Sequence, residues 1–291
     1  MTQKVRKAII PVAGFGTRFL PATKASPKEM LPIIDKPVIQ YVVEEAVASG
    51  ITDIIIVTNQ SKRAVEDHFD DNPNLESWLK ASGKKNQLEE VRAIGRLANF
   101  VYVRQKGPYG TATPVMNAKS IVGDEPFAVL WGDEFFVGKK PRLKQLIEVY
   151  EKYGDPVLCT IPVDDEGTKK YGIIDPASEV ERDIFQLKDV IEKPGPEKAP
   201  SRLGSVGGYI LTPDIFEHIA RLKRGHGGEL ILLDAIHSLM KKRPVYAKRV
   251  EGKYFDTGSK IGWLRANLEL ALARPDMAKE TKALVKKLTT R

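Results

Sequence analysis

The chain has 291 residues, 42% hydrophobic and 29% charged, with 46 Lys and Arg against 38 Asp and Glu for a formal net charge of +8. That length can bury a sizeable core; no run approaches the ~18 apolar residues of a membrane span and no basic-then-apolar leader is read at the start, so the expectation is a cytoplasmic protein without a membrane partner. The single cysteine, Cys159, excludes an internal disulfide and a cysteine-based metal cluster, and its apolar surroundings (PVLCTIP) read as core.

The first half alternates between apolar runs and amphipathic stretches. KAIIPVA (7–13) reads as a fully buried strand, and KPVIQYVVEEAVASG (36–50) as a helix with Pro37 in its first turn and Gly50 just past its end. DIIIVTN (53–59) is a second buried strand. SKRAVEDHF (61–69) reads as a helix capped by Ser61, and 72–96 as a polar helix interrupted at Gly83. A third strand (99–105), a helix (113–122), a fourth strand running to an acidic tip (126–136), a helix (141–154) and a fifth strand (155–163) follow. This β-α alternation predicts an α/β, doubly wound, mostly parallel Rossmann-like sheet with right-handed crossovers. Ligands in such sheets bind beyond the carboxyl ends of the strands, so the loops after 7–13, 99–105 and 126–131 are expected to converge. From about 164 the pattern changes to short strands split by Pro and Gly (171–175, 185–194, 204–211), a helix (229–242), two more strand-like runs (245–250, 253–258) and a final helical pair. One continuous domain is expected, with a nucleotide-binding half to about 163, an inserted β-rich sugar-binding lobe over about 164–258 and C-terminal helices over about 259–291.

GFGTRFLPATKASPKEMLP (14–32) follows the first strand directly, the usual place for a phosphate loop. It fits neither the dinucleotide template, which needs glycine where Phe19 stands, nor the Walker template, since no G-K-[ST] follows. Glycines nevertheless let backbone N–H groups approach a ligand, and Arg18 and Lys28 add positive charge. Pro21, Pro27 and Pro32 suggest an extended loop. The excess of basic residues is spread along the chain without a block. It suits a small polyanion as well as nucleic acid, and without a zinc-finger or RNA-recognition signature no nucleic-acid partner is expected. His68, His218, His226 and His237 show no metal-ligand spacing.

The 14–32 stretch, read as GxGTRxLPxTKxxPKEMLP, resembles the signature of the bacterial sugar nucleotidylyltransferases. DKPVIQYVVEEAVASGI (35–51), VGDEP (122–126), YGIID (171–175), VIEKP (190–194), VGGYIL (206–211) and GGELILLDAI (227–236) extend the resemblance over nearly the whole chain. It implies transfer of a uridylyl group from UTP to glucose 1-phosphate, giving UDP-glucose and pyrophosphate with Mg²⁺, in a homodimer or homotetramer. It implies that Ala13, Gly14, Gly16, Thr17, Gln105 and Gly110 meet the nucleotide and that Arg18 and Lys28 meet the phosphates. Gly172, Glu192 and Gly207 would meet the sugar, Lys193 its phosphate, and Asp133 and Asp256 the metal. On the residues alone Asp256 could equally cap the following segment, and Gly172 and Gly207 could mark bulges.

Such chemistry needs cations, a divalent metal and fixed geometry rather than a general base, because a sugar phosphate with a second pKa near ~6 is already mostly dianionic at pH 7. The absence of a Ser-His-Asp set therefore fits. Three departures from the family pattern stand out, the first being Trp131-Gly132-Asp133 in place of L-P-D. G-L-G-H-A becomes Gly110-Thr111-Ala112-Thr113-Pro114, which leaves open the same chemistry with dTTP, and the arginine of V-G-R-Y becomes Gly208. A glycosyltransferase is the alternative of another class, but the Asp-x-Asp metal motif typical of it does not occur.

Overall fold

The computed structural model describes residues 2–225 and 228–290. Its strands, in chain order, are β1 (Lys7–Pro11), β2 (Pro32–Ile33), β3 (Lys36–Pro37), β4 (Asp53–Thr58), β5 (Asn99–Arg104), β6 (Phe127–Val129), β7 (Glu134–Val137), β8 (Val157–Pro162), β9 (Gly172–Glu181), β10 (Ile184–Glu192), β11 (Leu203–Leu211), β12 (Tyr246–Arg249) and β13 (Lys253–Asp256). Nine of them form one sheet in the order β5-β4-β1-β6-β11-β8-β12-β10-β9, while β7 pairs with β13 and β2 with β3.

The continuous apolar runs explain the centre of this sheet. Side chains alternate between the two faces of a strand, so a strand apolar at every position must be covered on both. In β1 and β4, Ala8, Ile10, Ile54 and Ile56 enter one core, and Ile9, Ile55 and Val57 the other. Helix Val38–Ala48 covers the first face through Val38, Ile39, Val42, Val43 and Ala46. Helix Ala112–Asn117 packs on β1 at the second through Ala112 and Val115, and helix Leu232–Met240 covers β10 in the same core through Leu232, Ala235, Ile236 and Leu239.

The parallel part is β5, β4, β1 and β6. Beyond it the sheet is mixed. β11 runs antiparallel to β6, β8 and β9, and so joins the two halves of the chain within one hydrogen-bonded ladder. The β-rich portion after residue 164 is present and continues this same sheet.

Several elements are shorter than the sequence suggests. The expected strand 126–136 is two, β6 and β7, because the chain turns at Gly132-Asp133, where a Cβ on Gly132 would lie 3.0 Å from Val12 Cγ1. The stretch 72–96 is two helices, Pro73–Ala81 and Lys85–Gly95, parted at the left-handed Gly83. The helix expected at 113–122 is Ala112–Asn117 followed by Lys119–Val122. Ser61 does not cap the helix Arg63–His68, since its hydroxyl donates to Asn59 Oδ1 at 2.7 Å. Helix Asp165–Lys170, capped by Asp164 accepting from Gly167 N at 2.8 Å, was not legible, because DEGTKK carries no apolar periodicity.

Candidate active site

A cavity of about 990 Å³ opens at the carboxyl ends of the strands. The loops after β1, β5 and β6 converge there, supplying Ala13, Gly14, Arg18 and Lys28, then Gln105 and Gly110, then Trp131 and Asp133. Lys193, Asp256 and the helix bearing Lys169 and Lys170 close the other side.

The loop after β1 is not extended, as its prolines suggested. It winds through three short 3₁₀ turns, Thr17–Phe19, Ala22–Lys24 and Lys28–Met30, with a cis Leu20–Pro21 peptide between the first two. Gly16 takes the left-handed conformation that this path needs (φ 67°), and its carbonyl accepts from the Thr23 hydroxyl at 2.7 Å. Asn59 Nδ2 donates to the Ala13 carbonyl at 2.6 Å and pins the start of the loop. Gly16 and Thr17 therefore shape the loop and are not among the residues that line the cavity.

Lys28 Nζ donates to Asp133 Oδ2. Burial opposes the Lys28 charge, but Asp133 and Glu29 outweigh it and hold the pKa above its ordinary value. Behind Lys28, Glu29 accepts from Lys62 Nζ at 2.8 Å, both side chains being almost fully buried. Sequence reasoning missed this pair, since KEMLP and SKRAV lie far apart along the chain.

Asp133 and Asp256 converge. Asp133 Oδ2 and Asp256 Oδ1 each lie 3.0 Å from the point where a Cβ on Gly258 would stand, so the two oxygens are at most twice that distance apart. Asp256 also accepts from Lys170 Nζ and from Gly258 N, the latter at 2.8 Å. It is not a helix cap: Ser259 caps helix Lys260–Ala273, accepting from Gly262 N at 3.2 Å. Arg18 Nη1 donates to the Gly258 carbonyl at 3.3 Å, which ties the first loop to the second aspartate. Two carboxylates with free lone pairs suit a hard divalent cation that completes its shell with phosphates and water. Among the described residues no group of three or more acidic, His or Cys side chains forms a cluster that would hold a metal without such help.

Lys193 follows β10 with a left-handed backbone (φ 46°), and its Nζ lies 3.0 Å from Glu192 Oε1. Lys193 lines the cavity; Glu192 and Gly172, paired in register across β10 and β9, stand just behind it. Gly172 is packed, since a Cβ there would lie 2.5 Å from Leu233 Cδ1. Gly207 is packed too: a Cβ would fall 2.1 Å from Glu134 Oε1 and 2.4 Å from Trp131 Cδ1, and its carbonyl accepts from Arg142 at 2.5 Å. Gly172, Glu192 and Gly207 are not among the residues that line the cavity.

At the other end, Gln105 N donates to the Thr58 carbonyl at 2.8 Å. The loop after it is held by a distant segment. Leu230 N donates to the Tyr109 carbonyl, Ala112 N to the Leu230 carbonyl and Leu232 N to Thr111 Oγ1, each at 2.9 Å. Tyr109, Trp131, Glu134, Lys170, Tyr171 and Tyr254 also line the cavity. Burial pushes Glu134 up to about 7, against Arg142 and the Tyr254 hydroxyl, which hold it down. His68, His218 and His237 do not line the cavity, and His226 lies outside the described residues, as does Gly227 at the start of the GGELILLDAI match.

An α/β sheet with Arg18, Lys28 and Lys193 lining one cavity and two aspartates converging in it defines an enzyme that handles phosphate esters at strand ends. The chain belongs to the nucleotidyl transferase family, whose description matches residues 7–272. It is 47% identical over 291 residues to a UTP–glucose-1-phosphate uridylyltransferase of Bacillus subtilis, covering 100% of this chain and 98% of that one. Among solved structures it is similar to a UTP-bound UGPase from Acinetobacter baumannii (38% identity, TM-score 0.91, covering 98% and 99% of the two chains). It is also similar to a UDP-glucose pyrophosphorylase complexed with UDP-glucose (39% identity, TM-score 0.85, covering 93% and 100%).

Proposed function

We propose that the protein is a UTP–glucose-1-phosphate uridylyltransferase, and that one observation carries the reading. A single cavity is lined by Arg18, Lys28 and Lys193, with Asp133 and Asp256 converging in it. Two anions that repel one another can meet only where each has its own cations and their reacting atoms are aligned. Residues 1–163 form the nucleotide half, with Ala13, Gly14, Gln105 and Gly110 at base and ribose. Residues 164–258 supply the sugar side, where Lys193 takes the phosphate of glucose 1-phosphate and Glu192, brought forward from its strand end, accepts from sugar hydroxyls.

The phosphate oxygen of glucose 1-phosphate forms a bond to the α-phosphorus of UTP. The bond from that phosphorus to the bridging oxygen of the β-phosphate breaks, and pyrophosphate leaves with the electron pair. No proton needs to be removed from the dianionic nucleophile. Arg18 and Lys28 hold the departing phosphates. Asp133 and Asp256 would hold Mg²⁺, which when bound neutralises phosphate charge. Each carboxylate accepts from a lysine, Lys28 and Lys170 respectively. Substrate phosphates would draw those ammonium groups away and free the oxygens.

No described helix is long and apolar enough to cross a membrane, and we place the enzyme in the cytoplasm. Ile261, Leu264 and Leu268 of helix Lys260–Ala273 and Leu284 and Leu288 of helix Ala278–Thr289 are exposed, which supports a homodimer or homotetramer through this face.

The test is turnover with UTP, glucose 1-phosphate and Mg²⁺, following UDP-glucose and pyrophosphate together, beside dTTP at equal concentration. A higher kcat/KM with dTTP would make the protein a thymidylyltransferase. No pyrophosphate with either nucleotide would reject the reading.

A further inference from the structure

One buried cation ties the walls of the cavity together without lining it. Arg142, in the first turn of helix Arg142–Tyr153, is fully buried. Its Nε and Nη2 donate to the two carboxylate oxygens of Glu45 at 2.9 and 3.0 Å. Its Nη1 donates to Glu134 Oε1 at 3.1 Å and to the Gly207 carbonyl at 2.5 Å. The guanidinium carbon lies 4.8 Å from the centre of the Phe136 ring. From the other side, the Tyr254 hydroxyl donates to Glu134 Oε2 at 2.6 Å.

These partners belong to the elements that carry the metal-binding aspartates. Glu134 follows Asp133 directly, and β7 pairs with β13 so that Asp256 stands opposite Glu134 and Tyr254 opposite Phe136. Glu134 is thus gripped from both sides, and the strands bearing the two aspartates are fixed to each other and to β11 through Gly207. Stability alone does not call for such a group, because an apolar cluster of the same volume often stabilises as well as a buried ion pair. What an apolar cluster lacks is the planar fork that fixes two carboxylates and a carbonyl in one geometry.

The neighbouring glycine makes room for it. A Cβ on Gly208 would lie 3.2 Å from Arg142 Cδ and 3.3 Å from its Nε. This is the position at which V-G-R-Y has arginine, so here a guanidinium enters from the helix where the strand supplies none. We infer that Arg142 is a positioning residue that sets the spacing of Asp133 and Asp256 and holds the Gly207 strand against them. The inference rests on the reaction proposed above.

The test uses Mn²⁺ binding followed by electron paramagnetic resonance in the presence of UDP-glucose, with initial rates and thermal unfolding measured alongside. Arg142→Met should weaken Mn²⁺ binding at least ~10-fold and lower kcat by roughly 10- to 100-fold, while KM for UTP stays within about threefold. Arg142→Lys, which keeps the charge but loses the fork, should fall between that variant and wild type. Tyr254→Phe removes only the hydroxyl holding Glu134 and leaves no buried charge unpaired. It should weaken Mn²⁺ binding in the same direction by a smaller factor. Wild-type Mn²⁺ affinity and kcat in a folded Arg142→Met overturn the inference. If that variant does not fold, wild-type behaviour of Tyr254→Phe overturns it. A wild-type enzyme that turns over neither UTP nor dTTP overturns the proposed reaction and the role resting on it, a result read before any variant is made.

Discussion

Lys28 Nζ stands 2.5 Å from Asp133 Oδ2, so a cation suited to phosphate and an anion suited to metal neutralise one another across the cavity. Each has a single dominant partner to exchange. A nucleotide triphosphate arriving with its metal can take both at once, trading one ion pair for two.

Asp133→Asn should therefore lower kcat by at least ~100-fold, the scale on which removal of one electrostatic stabiliser acts. The fold should survive, since the amide fills the same space and the Asp133 carbonyl keeps its bonds from Thr257. Rates with increasing Mg²⁺ and a melting curve check it. Near-normal turnover at saturating Mg²⁺ would remove Asp133 from the metal site.

Lys193→Ala should raise KM for glucose 1-phosphate by roughly 10- to 100-fold, as expected for the loss of a charged hydrogen bond worth ~1.5–3 kcal/mol. KM for UTP should change less than about threefold. Lys193 lines the cavity and pairs with Glu192, while Arg18 and Lys28 are held by Gly258 and Asp133 and do not depend on it. Equal rises in both constants would show that Lys193 has been given the wrong substrate.

Gly110→Ala should damage the nucleotide site alone. Gly110 has φ 126°, and a Cβ there would fall 2.2 Å from the Leu230 carbonyl oxygen. The loop must move off the 230–232 segment, at a cost of more than ~1 kcal/mol. UTP titrations of the purified variant should show weaker binding with KM for glucose 1-phosphate nearly unchanged. Wild-type UTP affinity would mean that this loop does not shape the base pocket.

Cys159 should resist alkylation in the native protein. It is fully buried in β8, and burial pushes its thiol far above the ordinary range despite the nearby Arg142. Since the thiolate is the reactive form, iodoacetamide should label Cys159 completely in denaturant and only marginally in native buffer. Prompt native labelling would contradict the packing described for β8.

The parallel part of the sheet was legible because β1 and β4 carry unbroken apolar runs, Ala8 to Pro11 and Ile54 to Val57, a pattern that a strand covered on both faces requires. The first loop and Asp133 were legible from composition at strand ends, where cations and a carboxylate beside glycine have a chemical reason to be. What stayed hidden depends on contacts across long sequence separations. Arg142 reads as an ordinary helix residue until the fold brings Glu45 and Glu134 to it. Lys170 sits in DEGTKK, whose lack of apolar spacing conceals a helix that reaches Asp256. Gly207 was legible as a place of close approach, but the crowding there by Glu134 and Trp131, distant in sequence, was not.

β11 hydrogen-bonds to β6 and β9 along one edge and to β8 along the other. The halves of the chain before and after residue 164 are therefore not two bodies joined by a hinge. Bending the molecule between the two halves of the sheet would tear ladder bonds in its middle, so their spacing is set by strand register. Any gating of access falls to the segments at the rim, 14–31, 106–111 and 164–171. Engineering a larger sugar acceptor would thus mean remodelling that rim, because the span beneath it cannot stretch.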